Sequence, residues 1–333
     1  MEDNNDSLSI LGSRSLARSE NSLAIVDKLL LERTNRDSIK AEYFFNLGLS
    51  RPFDENAVAI KDFNKAIELS QTNYLYYVKR GEKKYYTDDF NGAVEDYTKA
   101  IELNPLGELF YKRAKINSYQ FNKDIEAIKD YTQAINLSSN LRGSYYELGI
   151  VKANLKYYDE AISNFSKAVE YTTKPYPTDP DAWEPYYRRG LVKLIIQDYR
   201  GAIEDFDKTF DLSSKFYMPI NETELALNDL GLAKYYIQDY EGAIESFTGA
   251  IWHGERYGAE YYHRKEPKSI LPENSLVTSD FTQNIFPLRY KSHANSYYNR
   301  GIVKRLLNDD EGAESDFQRA NKIQAMAKTS STP

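Results

Sequence analysis

Small and apolar residues recur along this chain with the period of an α-helix. The clearest example is AVEDYTKAIELNP (residues 93–105), in which Ala93, Tyr97 and Ala100 follow one another at i, i+4 and i+7. This spacing places the three side chains on one face of a helix. The pattern therefore predicts an amphipathic helix whose small residues let a neighbouring helix approach closely.

The same pattern occurs seven times, at residues 59–69, 93–105, 127–137, 161–171, 202–212, 243–252 and 313–321, and only Thr209 replaces the second alanine of a match. Each match follows a segment with a small residue that we call the landmark: Gly48, Gly81, Ala114, Gly149, Gly190, Gly231 or Gly301. Turn sequences lie between the segments, and four aspartates are placed to cap the second helix: Asp89, Asp198, Asp239 and Asp309. We expect seven helix–turn–helix hairpins, each too small to bury its own apolar face and therefore stacked on its neighbours.

The chain resembles the tetratricopeptide repeat (TPR) family, in the style of bacterial arrays. The family's unit of about 34 residues carries W-x2-L-G-x2-Y, then A-x3-F, a further alanine and a closing proline. Here the likeness extends from about residue 40 to residue 325, although lysine often replaces the last tyrosine of the first helix and only Pro105 keeps the closing proline. The resemblance implies an all-α TPR solenoid, a right-handed superhelix of about seven helix–turn–helix repeats.

The regions outside the repeats predict the rest of the domain organisation. Residues 1–20 are rich in serine, asparagine and charge, and we expect a disordered N-terminal tail there. Residues 21–36 have the pattern of an amphipathic capping helix. The solenoid is predicted over residues 37–328, with an insert at 252–293 whose apolar residues favour folding back on the array. Residues 329–333 are predicted to form a disordered C-terminal tail.

An arginine precedes the landmark in four repeats, and each time the second helix carries an aspartate. The predicted structural ion pairs are Arg80 with Asp96, Arg113 with Asp130, Arg189 with Asp205 and Arg300 with Asp316. Where leucine replaces the arginine, asparagine or serine replaces the aspartate, but the first repeat breaks the rule with Leu47 and Asp62. Because the acidic partners lie within each repeat, we favour ion pairs over a phosphate or nucleic-acid site. On this view Arg189→Leu destabilises the chain and an added Asp205→Asn restores the loss.

The resemblance also implies a concave groove lined by a second stripe of the first helix. The predicted groove residues are Phe45, Tyr86, Tyr111, Lys115, Tyr119, Tyr146, Asn154, Tyr187, Asn228, Tyr236 and Tyr298. We expect Tyr111, Tyr146 and Tyr187 to form its centre, since tyrosine offers a large contact area at a small entropic cost. In the second half of the array, the residue directly after each landmark is apolar, which predicts an apolar groove there. Two alternatives stay open, in which these tyrosines pack against the next repeat or the insert covers the groove.

Composition narrows the classes of partner. A net charge of −7 and a pI near 5.3 argue against binding nucleic acid. No apolar run reaches the ~18 residues that a membrane span needs, and the N-terminus lacks a secretory signal, so we expect no membrane insertion. The absence of cysteine favours a reducing compartment, and a cytoplasmic location is expected.

No catalytic constellation, phosphate loop or cofactor motif is present in the sequence, so we expect no cofactor and no enzymatic activity. The histidines, His253, His263 and His293, match no zinc spacing, and we expect solvent-exposed imidazoles and no metal. The predicted function is a protein-interaction scaffold or adaptor, or an assembly chaperone, that binds an extended or helical peptide of a protein partner. No repeat has the residues of the clamp that some TPR proteins use for chaperone C-termini. The alternative is a structural subunit that associates with itself as a homo-oligomer.

Overall fold

The structure, a computed structural model, describes residues 32–33, 35–172, 181–213, 220–261 and 292–329. Within these ranges the chain is helical, with short turns between helices. The elements in chain order are α1 (35–50), a 3₁₀ helix (Phe53–Glu55), α2 (Asn56–Leu69), α3 (Tyr74–Tyr86), α4 (Phe90–Leu103), α5 (Gly107–Tyr119), α6 (Asp124–Asn136), α7 (Leu141–Asn154), α8 (Tyr158–Thr172), α9 (Glu184–Ile195), α10 (Tyr199–Ser213), α11 (Ile220–Tyr236), α12 (Tyr240–Tyr261), α13 (Ser292–Leu306) and α14 (Asp310–Thr329). Every landmark residue lies in an odd-numbered helix and every alanine–aromatic repeat lies in the even-numbered helix that follows, which confirms the all-α repeat architecture.

Four of the even-numbered helices begin with the aspartate caps that the sequence predicts. The Asp89 carboxylate accepts a hydrogen bond from the Gly92 backbone N–H at 3.0 Å, and Asp198, Asp239 and Asp309 make the same bond three residues ahead at 2.9–3.1 Å. Each bond satisfies one of the backbone donors that a helix N-terminus leaves open. The prediction of these caps is confirmed.

Close approach between paired helices depends on the landmark glycine. In the hairpin of α11 and α12, a Cβ atom added to Gly231 would lie 2.6 Å from Cε1 of Phe247, which is fully buried. Ala243 and Ala250, on the same face of α12, are also fully buried. Because Gly231 has no side chain, the Phe247 ring can fill the space between the two helices.

Contacts divide the chain between Glu126 and Ala127 into two compact units, which we call unit one and unit two and describe separately. The core of unit one is a cluster of small and aromatic side chains that includes Ala41, Phe63, Ala93 and Tyr97. Unit two buries the corresponding residues of its own hairpins in several smaller clusters. A row of small local cores is what a stacked repeat array is expected to have.

The predicted regions outside the repeats lie partly beyond the described residues. Most of the proposed capping helix 21–36 is outside them, and residues 35 and 36 belong to the same helix as the first repeat. The N-terminal tail 1–20 and residues 330–333 also lie outside, while Thr329 ends α14. Of the insert 252–293, residues 252–261 continue α12 and residues 292–293 begin α13, whereas its centre lies outside the described residues. These domain assignments stay predictions.

Candidate functional site

The predicted groove residues differ widely in their exposure to solvent. Tyr86 and Tyr119 are exposed, whereas Phe45, Tyr187 and Asn228 are buried. The others are partly buried: Tyr111, Lys115, Tyr146, Asn154, Tyr236 and Tyr298. A buried side chain contacts a partner only after it has been displaced from its packing, so this set does not form one uniformly open surface.

In unit two the buried groove residues join successive repeats. The Tyr187 hydroxyl donates to Asp229 Oδ2 at 2.9 Å, and the Asn299 side-chain amide donates to Asn228 Oδ1 at 3.1 Å. Tyr187 and Asn228 each lie three residues before the landmark glycine of their own repeat. Their partners, Asp229 and Asn299, each lie two residues before the landmark glycine of the next repeat. At Tyr187 and Asn228, therefore, the side chain packs against the next repeat, which is one of the two alternatives that the sequence left open.

The apolar residues that follow the landmarks of unit two are core residues. Ile150, Leu191 and Leu232 are each about one-twentieth exposed and belong to clusters between helices. Tyr236 stacks on the Tyr199 ring with centroids 4.7 Å apart. The predicted apolar groove is therefore not open to solvent at these positions, because the side chains fill the spaces between repeats.

Unit one instead presents aromatic rings to solvent in three successive repeats. Phe53, Tyr86 and Tyr119 each follow their landmark by five residues and are 67%, 58% and 37% exposed. The rings of Phe53 and Tyr86 meet edge to face with centroids 5.2 Å apart, and Tyr85 lies beside Tyr86. Together with the exposed Leu49, these residues form what we call the aromatic stripe.

A charged cluster lies on the same helices as the aromatic stripe. Glu82 on α3 forms ion pairs with Lys79 at 2.8 Å and with Lys112 of α5 at 2.6 Å, and Lys112 also contacts Glu108 at 2.9 Å. Burial acts to raise the pKa of the Glu82 carboxyl, but its hydrogen bonds from the two lysines outweigh burial and lower the pKa. Lys115 Nζ lies 5.8 Å from the ring centroid of Tyr119. Paired charged side chains thus lie on the same helices as the exposed rings of the stripe.

Phe53, like Leu49, is a stripe residue that the sequence reasoning missed. It follows Gly48 by the same interval that separates Tyr86 from Gly81 and Tyr119 from Ala114. Counting this interval in every repeat would have found it. The turn of the first repeat, SRPFDEN, contains a proline and forms a 3₁₀ helix rather than continuing α1, which obscured the match.

Three of the four predicted arginine–aspartate pairs are brought together as bidentate contacts. Arg189 donates from Nε and Nη2 to the two carboxylate oxygens of Asp205 at 2.9 and 2.6 Å, and Arg80 with Asp96 and Arg300 with Asp316 have the same geometry. The aspartates are buried. Arg113 and Asp130 lie in different units, and their pairing stays a prediction.

The same arginines also reach the preceding repeat, which the sequence reasoning did not foresee. Arg189 Nη1 donates to Ser166 Oγ at 2.9 Å, and Arg80, Arg113 and Arg300 donate to Asn64, Thr98 and Thr248 at 2.7–3.1 Å. Each acceptor directly follows the core aromatic residue of the preceding even-numbered helix. One guanidinium therefore joins two helices of its own repeat to a third helix.

A second cation accompanies each of these buried carboxylates. The lysine three residues after the landmark contacts the same aspartate, as Lys193 Nζ does with Asp205 Oδ2 at 2.9 Å. Lys84 and Lys304 repeat this contact at 3.0 Å. In the first repeat Arg51 occupies the lysine's place and donates from Nε to Asp62 at 2.9 Å. This contact explains why Asp62 is present beside Leu47.

The histidines of unit two occupy a different environment from the one expected. His293 is buried, with Nδ1 lying 3.5 Å from Oε1 of the buried Glu224, and His253 is partly buried. The expectation of a solvent-exposed imidazole is wrong for His293, because α13 packs on α12 at Gly254, where no side chain separates them. No group of three or more His, Asp or Glu side chains is placed to bind a metal within the described ranges.

Comparison with known proteins identifies the repeat. Residues 143–174, which span α7 and α8, match the family model described as "Tetratricopeptide repeat". No curated protein matches the chain. In the part of the chain that the structure describes, no helix has the length and apolar character that crossing a membrane requires.

Several solved structures are similar to this chain. The C-terminal part of a TPR repeat-containing protein from Cytophaga hutchinsonii aligns with a TM-score of 0.60 at 16% identity, covering 88% of this chain and 98% of that one. MamA aligns at 24% identity with a TM-score of 0.48, covering 58% and 98% of the two chains. YrrB, described as a TPR protein with an unusual peptide-binding site, aligns at 18% identity with a TM-score of 0.49, covering 60% and 96%. The first of these likenesses shows a shared fold.

Proposed function

We propose that this chain, in which residues 143–174 match the tetratricopeptide repeat model, is a protein-interaction scaffold or adaptor whose aromatic stripe binds an extended or helical segment of a partner protein. The observation that carries the proposal is the exposure of Phe53, Tyr86 and Tyr119 at equivalent places in three successive repeats. Exposed aromatic side chains in a row supply contact area at a small cost in side-chain entropy.

The charge pattern beside the stripe supports a polypeptide partner. Glu82 and Glu108 together balance the charges of Lys79 and Lys112, so this cluster does not present the excess of cations that nucleic acid requires. A surface of aromatic rings beside paired charges suits a peptide partner. The apolar side chains of the peptide would contact the rings, and its polar groups would contact the charged side chains. A cytoplasmic location is part of the proposal, and the absence of cysteine favours it.

The test is quantitative capture of partners by the full-length chain and two triple variants. Phe53→Ala with Tyr86→Ala and Tyr119→Ala removes the stripe, and we expect captured partners to fall at least about tenfold, since central aromatic anchors contribute about 2 kcal/mol each. The matched control changes three exposed residues elsewhere in unit one: Tyr43→Ala, Val58→Ala and Leu106→Ala. It should capture the partners of the unmodified chain.

Mass spectrometry of the captured proteins also distinguishes the alternative. Equal capture by the stripe variant and the control would remove the stripe as the binding surface. If a tagged chain captures mainly untagged copies of itself, and this too depends on the stripe, the chain is a self-associating subunit. The far-ultraviolet circular dichroism of both variants should match that of the unmodified chain, because every substituted side chain is exposed.

A further inference from the structure

The exposed face of α12 differs in sequence from that of every other even-numbered helix. In the six other repeats, two places are polar or charged: the residue directly before the last small residue of the alanine–aromatic pattern and the residue two after it. Three of these pairs form ion pairs, namely Lys99–Glu102 at 2.8 Å, Lys167–Glu170 at 2.9 Å and Lys208–Asp211 at 3.5 Å. The sixth repeat has Gly249 and Trp252 at these places, so an aromatic ring and a residue without a side chain replace the charged pair.

α12 also continues further beyond this pattern than α4, α8 and α10 do. It has 22 residues, against 14 in α4 and 15 in each of α8 and α10. The additional length brings Arg256 next to Trp252, and the guanidinium carbon of Arg256 lies 5.0 Å from the centroid of the Trp252 ring. The Trp252 side chain is nevertheless 49% exposed. A large aromatic side chain that stays half exposed is typical of a residue that binds another protein.

Four residues form a line along this face of α12: Glu245, Gly249, Trp252 and Arg256. Their spacing of i, i+4, i+7 and i+11 places them on one side of the helix, and we call them the Trp252 patch. A Cβ atom added to Gly249 would meet only the methyl groups of Leu227, at 3.3 and 3.7 Å. The surface is therefore hollow at Gly249, one helical turn from the protruding Trp252 ring.

Repeat seven packs beside the Trp252 patch and does not cover it. Arg300 of α13 donates to Thr248 Oγ1 at 3.1 Å, and the Tyr297 hydroxyl donates to Glu255 Oε1. Arg319 of α14 lies 3.4 Å from the same Glu255 oxygen. Thr248 and Glu255 belong to the line of α12 residues next to the patch, so the contacts with α13 and α14 leave the patch on the outside.

We propose that the Trp252 patch is a dimerisation surface, on which α12 of one copy pairs antiparallel with α12 of a second copy of this chain. The patch is complementary to itself in this arrangement. A two-fold axis through the midpoint between Gly249 and Trp252 exchanges these two positions, and it therefore places the Trp252 ring of each copy over the hollow of the other copy.

The charges at the two ends of the patch favour a second copy in this orientation. Glu245 and Arg256 lie equally far from the same midpoint, so the axis exchanges them as well. Each Glu245 carboxylate then faces the Arg256 guanidinium of the other copy, and the dimer has two equivalent ion pairs. A parallel pair of helices in register would instead bring like charges together. Charges at the rim of an interface select the orientation more than they add affinity.

The Trp252 patch is small, and the dimer should therefore be weak. One face of a single helix buries less than the ~800 Å² that each partner contributes to a stable interface. We expect a dissociation constant of about 10–100 µM. A dimer carries two aromatic stripes, so it would bind a partner with two binding segments more tightly than a monomer does.

Sedimentation equilibrium of the full-length chain at about 1–200 µM measures this association, and the unmodified chain should change from monomer to dimer. Gly249→Lys with Trp252→Glu introduces the charged pair that repeats two and four already have, so the fold should be kept. The dissociation constant of this variant should rise at least about thirtyfold, since central tryptophans dominate interface energies. Tyr157→Ala removes an equally exposed aromatic side chain of unit two, and this matched control should dimerise like the unmodified chain.

Reversal of single charges tests the antiparallel orientation. Glu245→Arg and Arg256→Glu should each weaken the dimer at least about threefold, because each variant brings like charges together across the axis. An equimolar mixture of the two single variants should contain more dimer than either variant alone. In a mixed dimer both ion pairs again join opposite charges.

Failure of this proposal has distinct signatures. A chain that stays monomeric at about 200 µM overturns it, as does a dimer that Gly249→Lys with Trp252→Glu leaves unchanged. A mixture of the charge variants that associates no better than its components refutes the antiparallel pairing. If Trp252 is needed for capture of a different protein but not for self-association, that protein is the occupant and the dimer is refuted. The stripe variant should dimerise normally, so none of these failures affects the proposed function.

Discussion

At the scale of single residues, Asp96, Asp205 and Asp316 on the second helices are each contacted by two cations. Asp205 receives two bonds from Arg189 and a third contact from Lys193, and its side chain is 4% exposed. Because two cations contact the same buried carboxylate, the loss of either cation alone still leaves the carboxylate with a partner. Repeat one, with Leu47, Asp62 and Arg51, already has only the second cation.

The second cation changes the expected result of mutating the arginine. Arg189→Leu leaves Asp205 paired with Lys193, as in repeat one, and should cost about 1–2 kcal/mol for the lost charge-assisted bonds. Lys193→Met should cost a similar amount. Together they leave a buried carboxylate without a partner, and the double variant should lose about 3–5 kcal/mol, more than the sum of the singles.

Urea unfolding followed by circular dichroism measures this cycle. Additive losses would mean that the two cations do not substitute for each other at Asp205. The sequence alone led to a different expectation, namely that Asp205→Asn would rescue Arg189→Leu. With Lys193 in contact, that combination instead leaves a half-buried ammonium without its carboxylate, so rescue is not expected.

At the scale of helices, the sequence carried almost all the information needed for the hairpins. The aspartate caps and the alanine–aromatic spacing fixed both the helices and their buried faces, because these depend on contacts within one repeat. The contacts between repeats were not foreseen, since Ser166 as the acceptor for Arg189 lies in the preceding repeat. The burial of Tyr187 likewise depends on Asp229 of the following repeat.

A pair of glycine substitutions in one hairpin tests the packing of α11 against α12. Gly231→Ala should lower the unfolding midpoint, although alanine favours a helix over glycine by about 1 kcal/mol, because its Cβ would lie 2.6 Å from the buried Phe247 ring. Gly249→Ala is the control. Its Cβ would meet only methyl groups of Leu227 at 3.3 Å or more, and we expect unchanged or increased stability. Equal effects of the two substitutions would show that close approach at Gly231 is unimportant.

At the scale of the whole chain, each unit offers a different kind of surface. Unit one exposes the aromatic stripe, while unit two buries Tyr187 and Asn228 and leaves its other predicted groove residues partly buried. Composition and repeat spacing predicted an aromatic binding face but not this division. Whether a groove residue faces solvent depends on its neighbour in the next repeat, as Tyr187 and Tyr86 illustrate.

Amide hydrogen exchange of the full chain, with and without a captured partner protein, tests the binding of a partner on the stripe most directly. Binding there should slow exchange most in the last turns of α1, α3 and α5, which carry or lead into Leu49, Phe53, Tyr86 and Tyr119, because a ligand opposes local opening of the helices it contacts. Slowing confined to α2, α4 or α14, or no slowing anywhere in unit one, would contradict the assignment of the stripe as the binding surface.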